Sequence, residues 1–407
     1  MDYDVIIVGG GPAGMGAAVE CAKHNKNILL IEKEHVLGGI LNQCIHNGFG
    51  LHYFKEELTG PEYAHRFINM VEGNNIDVLC DAFVTEVNTN SVTVLCKNGR
   101  LYLSTKSVIL AMGCREKTAG SIRLNGTRPA GVLTAGQAQR LVNYHGKLPG
   151  KNVVILGSGD IGLIMARRLT YAGAKVNMVL EIMPTSSGLA RNIQQCLVDN
   201  NIPIYYNTTV TQVVGENRIT GIKYAEVDSN LSPIMETEKY IDCDCLILSV
   251  GLAPENTIAS NAKMLSATNS FDVNEYRETS IAGVFACGNV LQVHDLVDNV
   301  TIESFIAGDS ACKYADDMLS HDDPHAVNVG DGIRYTVPST FYGSSGDVDI
   351  YFRVANKIVR KFVVIISEDK VISYKFFMSI NPGALEKISV AKDKVRGDIT
   401  IEVREKI

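Results

Sequence analysis

The chain has 407 residues, 46% hydrophobic and 20% charged, with a formal net charge of -7. That length builds two or three domains with cores of their own, and the acidic balance argues against a nucleic-acid partner, which requires a basic face. No apolar run reaches the roughly 20 residues that cross a bilayer, and the opening MDYDVIIVGG is a strand without the basic start of a signal peptide; the expectation is a cytoplasmic protein with no transmembrane segment.

Two stretches far apart share one pattern: DYDVIIVGGGPAGMGAAVECAKHNKNILLIEKE and GKNVVILGSGDIGLIMARRLTYAGAKVNMVLEI. Each reads as a strand, a glycine loop, an amphipathic helix and a second strand ending in an acid, the βαβ unit of a parallel sheet. In the first, Gly9 permits the tight turn, Gly11 lets the backbone approach a pyrophosphate, and Gly14 lets the helix pack on the strand. The helix start offers N–H groups to phosphate, and Glu32 is placed for ribose hydroxyls. Between the two units come a helix near GPEYAHRFINMV, short strands SVTVLCKNG and RLYLS, and a strand SVILAMG.

In the second unit the glycines are Gly157, Gly159 and Gly162, with Ala166 one helical turn on, and the acid is Glu181. A carboxylate there favours the free 2′-hydroxyl of NADH and repels the 2′-phosphate of NADPH. Lys175 and Arg191 are the nearby cations that oppose this preference. Further strands follow, including CLILSVGLAPEN, in which Cys243 and Cys245 alternate on one face and read as core packing. The ten cysteines contain no C-x-x-C, so neither a zinc nor an iron–sulfur set is visible and no metal is expected. TSIAGVFACGNV precedes a long helix, TIESFIAGDSACKYADDML. SHDDPHAVNVGDG reads as a linker, and IRYTVPSTF, DVDIYFRV, KFVVIIS and ITIEVREKI as strands of a β-rich tail.

VIIVGGGPAG, SVILAMG, SVGLAPEN and GVFACGNV occur in the order of the two-dinucleotide-domain flavoproteins, and the chain resembles that superfamily of thioredoxin and disulfide reductases. The resemblance implies an α/β fold with two Rossmann-like domains, FAD in the first and NAD(P)H in the second, and the strand pattern of the tail adds a small C-terminal β-rich domain. The expected boundaries are 1–118 with 247–320 for FAD, 119–246 for NAD(P) and 330–407 for the tail. It also implies crossovers at Ala111–Gly113 and Val250–Gly251, flavin contacts at Gly288 and Asn289, and a helix start at Asn299, Val300 and Thr301 near the flavin. Asn289 departs from the usual Asp, yet an amide still bonds a ribityl hydroxyl. Pro12, Ala13, Lys33 and Val84 complete the expected FAD site, and Asp160 and Ile161 the nicotinamide nucleotide site.

More of the chain, including LGGILNQCIHNGFGLHYFKEELTGPEYA, TRPAGVLTAGQAQRLVN and FACGNVLQVHDLVDNV, is similar to bacterial FAD/NAD(P)-dependent oxidoreductases that accompany an anaerobic-type glycerol-3-phosphate dehydrogenase, itself a flavoprotein. In many relatives a cysteine pair follows the Gly38–Gly39 position; here Leu41 and His46 stand there, with Cys44 between. A disulfide reductase needs two thiols close enough to bridge. Gly38, Gly39 and Asn47 remain as flavin contacts, His46 as a proton donor or a merely orienting ring, and Cys44 as a lone redox thiol or core packing. His294–Asp295 is an acid–base pair or, more simply, a structural loop.

These features point to hydride transfer between NADH and FAD, with electrons then passed to or from a partner flavoprotein or a small acceptor such as a quinone or oxygen; the expected partners are NADH and a partner flavoprotein or oligomer. Two rival readings stand beside it. One is a free-standing NADH oxidase or peroxidase using Cys44; the other is a flavin-binding subunit that does not turn over.

Overall fold

The computed structural model describes residues 2–343 and 346–407. Met1, Ser344 and Ser345, which fall inside the expected first and last domains, lie outside the described residues. The chain divides into two compact units, one of Met1–Cys114 with Pro254–Ile407 and one of Arg115–Ala253.

The first unit grows from strand β1 (Tyr3–Val8), helix α1 (Pro12–Ala22) and strand β2 (Ile28–Ile31). β1 is buried from Val5 to Val8 and all four residues of β2 are buried, as strands covered on both faces require. β1 lies parallel between β2 and strand Gly99–Leu110, pairing Val5 with Ile28 on one side and with Ser107 on the other. Strand Ile76–Leu79 adds beyond β2, and Val284–Ala286 adds beside Gly99–Leu110. The small residues of α1 let helix Val297–Ala315 approach closely: a Cβ on Gly308 would stand 2.7 Å from the Ala17 carbonyl oxygen. Helix Gly60–Glu72 starts on a capping box, in which the Glu62 N–H donates to Thr59 Oγ1 (3.4 Å) and the Thr59 N–H to Glu62 Oε2 (2.8 Å).

RLYLS and SVILAMG, expected as separate strands, form one: Gly99–Leu110 runs without a break. Its first half pairs antiparallel with Ser91–Cys96 and its second half parallel with β1. Nothing between Ser104 and Ser107 turns the chain, since neither Gly nor Pro interrupts it.

The second unit has a five-stranded parallel sheet in the order Val132–Thr134, Cys245–Leu248, Asn152–Leu156, Lys175–Leu180, Ile204–Tyr205. A three-stranded antiparallel sheet, Thr208–Val214, Gly221–Glu226 and Lys239–Asp242, follows. Cys243 and Cys245 do not share a strand face: Cys243 precedes the strand and packs with Leu156 and Leu246, whereas Cys245 packs with Val153 and Ile247. Both are buried thiols pushed up to about 12 by desolvation, so they serve the core.

The C-terminal residues form two sheets around a core of Phe341, Ile350, Phe352, Val363, Ile365 and Ile401. One sheet has five strands and the other three, Ile333–Val337, Asp347–Val354 and Glu386–Ala391. The stretch SHDDPHAVNVGDG, expected as a linker, contains strand Pro324–Val329, which pairs parallel with Ile399–Arg404. Of its six residues only Val327 is buried, and pairing outweighs composition. These sheets belong to the first unit. Tyr335, Val337 and Tyr351 pack in one cluster with Phe271, Val273 and Leu291, and Lys392 forms an ion pair with Glu275 at 2.6 Å, both side chains under 10% exposed. Among the described residues no helix is long and apolar enough to cross a membrane.

Candidate functional site

In the first unit, chain segments distant in sequence meet at the end of β1. Gly9 has φ +109, and a Cβ there would lie 2.5 Å from the Ala111 carbonyl oxygen, so only glycine fits the turn. A Cβ on Gly39 would lie 3.0 Å from Gly11 Cα, and one on Gly288 2.7 Å from Ala13 Cβ. Gly38 donates its N–H to the Gly10 carbonyl oxygen at 2.8 Å. Residues 9–14, 38–39, 111 and 288 are thus neighbours. α1 begins at Pro12 with Gly11 as its N-cap, no side-chain cap and no acid in its first turn, and the space beside Gly11 is open to 4 Å. The N–H groups of a helix's first turn have no intrahelical acceptor; at the positive end of a helix and reached by bare backbone, they are the geometry a pyrophosphate needs.

The strand-end acids repeat one arrangement in both units. Glu32 Oε2 accepts the Gly10 N–H at 2.6 Å, and Oε1 the Glu34 N–H at 2.8 Å. Glu181 Oε2 accepts the Ser158 N–H at 2.9 Å, and Oε1 the Met183 N–H at 2.9 Å. In each case the partners are the residue after the first glycine and the residue two past the acid. Both carboxylates are 5% exposed. Lys33 is exposed beside Glu32, and Val84 is buried on strand Phe83–Asn88.

In the second unit a Cβ on Gly162 would lie 2.7 Å from Ser249 Cβ, and Gly157, at φ +96, faces the Ser249 carbonyl. Gly159 caps helix Asp160–Tyr171, whose second residue, Ile161, packs into the core. Asp160 Oδ1 accepts the Leu189 N–H (2.8 Å) and Asn192 Nδ2–H (2.6 Å), so it ties down the following loop. Gly157, Glu181, Val250 and Gly251 line a groove of about 820 Å³ that runs on past Thr211 and Lys223. Lys175 starts the strand that Glu181 follows, about 20 Å of extended chain away, which removes it from the acid's end. Arg191 is exposed on the short helix Ala190–Asn192.

The Gly38–Gly50 segment is pinned from below. Asp298, 1% exposed, accepts the Tyr53 N–H at 2.7 Å and the Gly50 N–H at 3.2 Å. Cys44 is half-buried, its thiol donating to the Ile40 carbonyl oxygen at 3.3 Å. The His46 ring stacks on Phe49 at 5.1 Å and its Nδ1 lies 3.2 Å from the Asn47 carbonyl oxygen, while Asn47 itself is exposed. Helix Val297–Ala315 starts two residues before Asn299, whose N–H and that of Val300 both reach back to the Leu296 carbonyl. Those two donors are therefore engaged within the helix start. Thr301 Oγ1 shares a buried hydrogen bond of 2.8 Å with the Tyr63 hydroxyl.

His294 and Asp295 do not pair with each other. His294 Nε2 lies 2.8 Å from Glu303 Oε2, whereas Asp295 turns to Arg353 at 3.1 Å. Glu303, wholly buried, also accepts the Gly288 N–H at 3.0 Å and Gln292 Nε2–H at 2.7 Å, with Arg277 Nε at 3.4 Å. Burial pushes its carboxyl up, but His294, Arg277 and Gln292 together outweigh that and hold it below the ordinary carboxylate range. Sequence reading missed Glu303 and Arg277 because no motif spacing marks them. The available signal was an acid inside the apolar run TIESFIAG.

The sequence family is decided by a match over most of the chain. The model of pyridine nucleotide-disulphide oxidoreductases matches residues 3–304. The chain belongs to that family. By its description the family is one of pyridine nucleotide-linked oxidoreductases. One component of the alkyl hydroperoxide reductase of Staphylococcus aureus is 28% identical over 324 residues, 78% of this chain and 59% of that protein. The chain therefore spans somewhat under two thirds of that relative's length. Thioredoxin reductase of Ureaplasma parvum is 25% identical over 71% of this chain and 89% of its own. In fold, T. acidophilum thioredoxin reductase aligns with a TM-score of 0.64 at 24% identity, covering 78% of this chain and 99% of that one. For Lactococcus lactis thioredoxin reductase the TM-score is 0.61 at 21% identity, over 77% and 99%. The glycerol-3-phosphate dehydrogenase association is shown by none of these relatives.

Proposed function

We propose that this family member oxidises NADH at FAD and passes the electrons to a partner protein without a bound disulfide as intermediate. The observation that carries the reading is the duplicated glycine-loop and acid arrangement, one copy in each unit. FAD, when bound, supplies a ring that takes two electrons from a reduced pyridine nucleotide and gives them to a second acceptor. The first unit's residues hold it: the Gly9–Gly14 loop and helix start at the pyrophosphate, Glu32 at a ribose, and Gly38, Gly39, Asn47, Gly288 and Asn289 along its length. In the second unit Gly157–Gly162 face the nucleotide phosphates and Glu181 a ribose. A buried carboxylate at that place disfavours a 2′-phosphate, which supports NADH over NADPH.

No disulfide joins any of the ten cysteines, which bears on the electron exit. The Cys21 thiol, which donates to the Gly308 carbonyl oxygen at 3.4 Å, is raised by the neighbouring Cys312 thiol, then by burial. That pair sits at the far end of α1, roughly 13 Å along the helix from Pro12, not at the candidate flavin loop. Cys44 has no cysteine beside it within the Gly38–Gly50 segment. The exit we propose is from the flavin directly to a partner, and a glycerol-3-phosphate-oxidising flavoprotein is the first to test. An oxidase or peroxidase using Cys44 is the second reading, favoured by the half-buried thiol and by the likeness to a component of an alkyl hydroperoxide reductase.

Anaerobic stopped-flow of the flavin-loaded protein tests this. Rapid bleaching of the flavin by NADH and slow bleaching by NADPH is the expected result; no bleaching by either sinks the proposal and leaves a flavin-binding protein that does not turn over. Peroxide turnover that survives in the wild type and vanishes in Cys44→Ser would move the assignment to the thiol enzyme.

A further inference from the structure

The family model ends at residue 304, and the C-terminal sheets lie wholly beyond it. They grip the loop that follows Gly288. Arg353, on strand Asp347–Val354, donates Nη2–H to the Val293 carbonyl oxygen at 2.7 Å and to Asp295 Oδ1 at 3.1 Å. It thus holds the residues on both sides of His294. Its own fork is fixed from behind, by Nε–H donating to Tyr335 Oη at 3.1 Å and Nη1–H to the Gly383 carbonyl. The Leu385 N–H donates to the other Asp295 oxygen at 2.8 Å.

What the grip holds is an amide. The His294 N–H donates to Asn289 Oδ1 at 3.1 Å. A backbone N–H can only donate, so the side-chain atom it meets is the oxygen, and the Nδ2 group of Asn289 remains as a donor. An Asp at this position would offer that N–H a carboxylate but leave no donor for a ligand. Beneath the same turn, Glu303 holds the Gly288 N–H, and the Tyr351 ring from the C-terminal sheet lies 5.8 Å from the Arg277 guanidinium that flanks Glu303.

We propose that Arg353 is a positioning residue for the Gly288–Asn289 turn, so that the C-terminal sheets set the orientation of a cofactor contact in the first unit. The inference rests on the FAD reading above. Three groups act in line: the guanidinium holds the Val293 carbonyl and the Asp295 side chain, these flanking anchors fix the His294 N–H, and the N–H fixes the Asn289 amide. A planar fork is suited to this because it holds two oxygens at once; a lysine has a single flexible ammonium.

The test uses the full chain, stripped of flavin and titrated with FAD. Arg353→Gln is expected to weaken FAD binding by at least about tenfold, the scale of losing charge-assisted hydrogen bonds, and to shift the visible absorption band and the midpoint potential of the flavin that still binds. Arg353→Lys is expected to recover part of the affinity. Asp295→Asn, on a side chain 29% exposed, keeps the test open should Arg353→Gln fail to fold, and is expected to weaken FAD binding in the same direction. If wild type binds FAD while the folded variants match it in affinity, spectrum and potential, the positioning role is overturned and the FAD reading stands. A wild type that binds no FAD overturns both.

Discussion

Glu32 and Glu181 each turn one oxygen back onto the glycine loop and the other onto the chain just beyond the strand. Each carboxylate therefore does two things: it closes the loop, and it presents its remaining lone pairs to whatever lies on the loop. Ser158 adds a hydroxyl bond to Glu181 Oε2 at 2.5 Å, which fixes the second acid more firmly than the first. Glu181→Gln keeps the size but exchanges an acceptor for a donor that faces N–H groups. It should raise the KM for NADH about tenfold, the effect of losing one charge-assisted hydrogen bond, with little change in kcat. Steady-state kinetics at constant flavin loading checks this, and an unchanged KM would remove Glu181 from the nucleotide site. Both acids were legible in the sequence because a strand end after a glycine loop is a fixed place in a βαβ unit. Glu303 and Arg277 were not, because their pairing joins helix and loop residues through burial, which leaves no spacing to read.

At the scale of elements, the βαβ units were readable from hydrophobic runs and glycines, and so was the helix Gly60–Glu72 with its capping box. The failures are equally physical. The break expected between RLYLS and SVILAMG, and the linker expected at SHDDPHAVNVGDG, rest on local sequence alone, whereas strand pairing is a non-local choice. The first glycine turn makes a sharp prediction. Gly9→Ala combines φ +109 with a carbonyl oxygen 2.5 Å from the new methyl, and should destabilise the flavin-free protein by about 2–4 kcal/mol. Gly99→Ala has a similar φ of +102 but open space around it, and should cost only about 1 kcal/mol. Denaturant unfolding of the two variants side by side separates the clash from the backbone strain; equal losses would show that the Ala111 contact contributes nothing.

For the molecule as a whole, the C-terminal sheets are part of the first unit's core. Tyr335, Val337 and Tyr351 cover Phe271, Val273 and Leu291, and the Glu275–Lys392 pair is buried enough to be strongly destabilising when broken, unlike an exposed one. A chain ending at Ser320 should expose that apolar face, lower the melting temperature by well over the few degrees typical of one point mutation, and aggregate. Thermal unfolding with light scattering reads both, and an unaltered melting temperature would contradict this packing.

The division into an uninterrupted 115–253 unit and a first unit split around it also sets an order of events at the ribosome. The second unit has every strand of its sheet once residue 248 has emerged. The first unit still waits for strand Val284–Ala286, for helix Val297–Ala315 and for the C-terminal strands. The glycine loop that is synthesised first is thus completed last. Until then, the second half of Gly99–Leu110 keeps one edge open for a strand that follows the whole second unit, and the growing chain must be kept from pairing there with other strands for much of its translation.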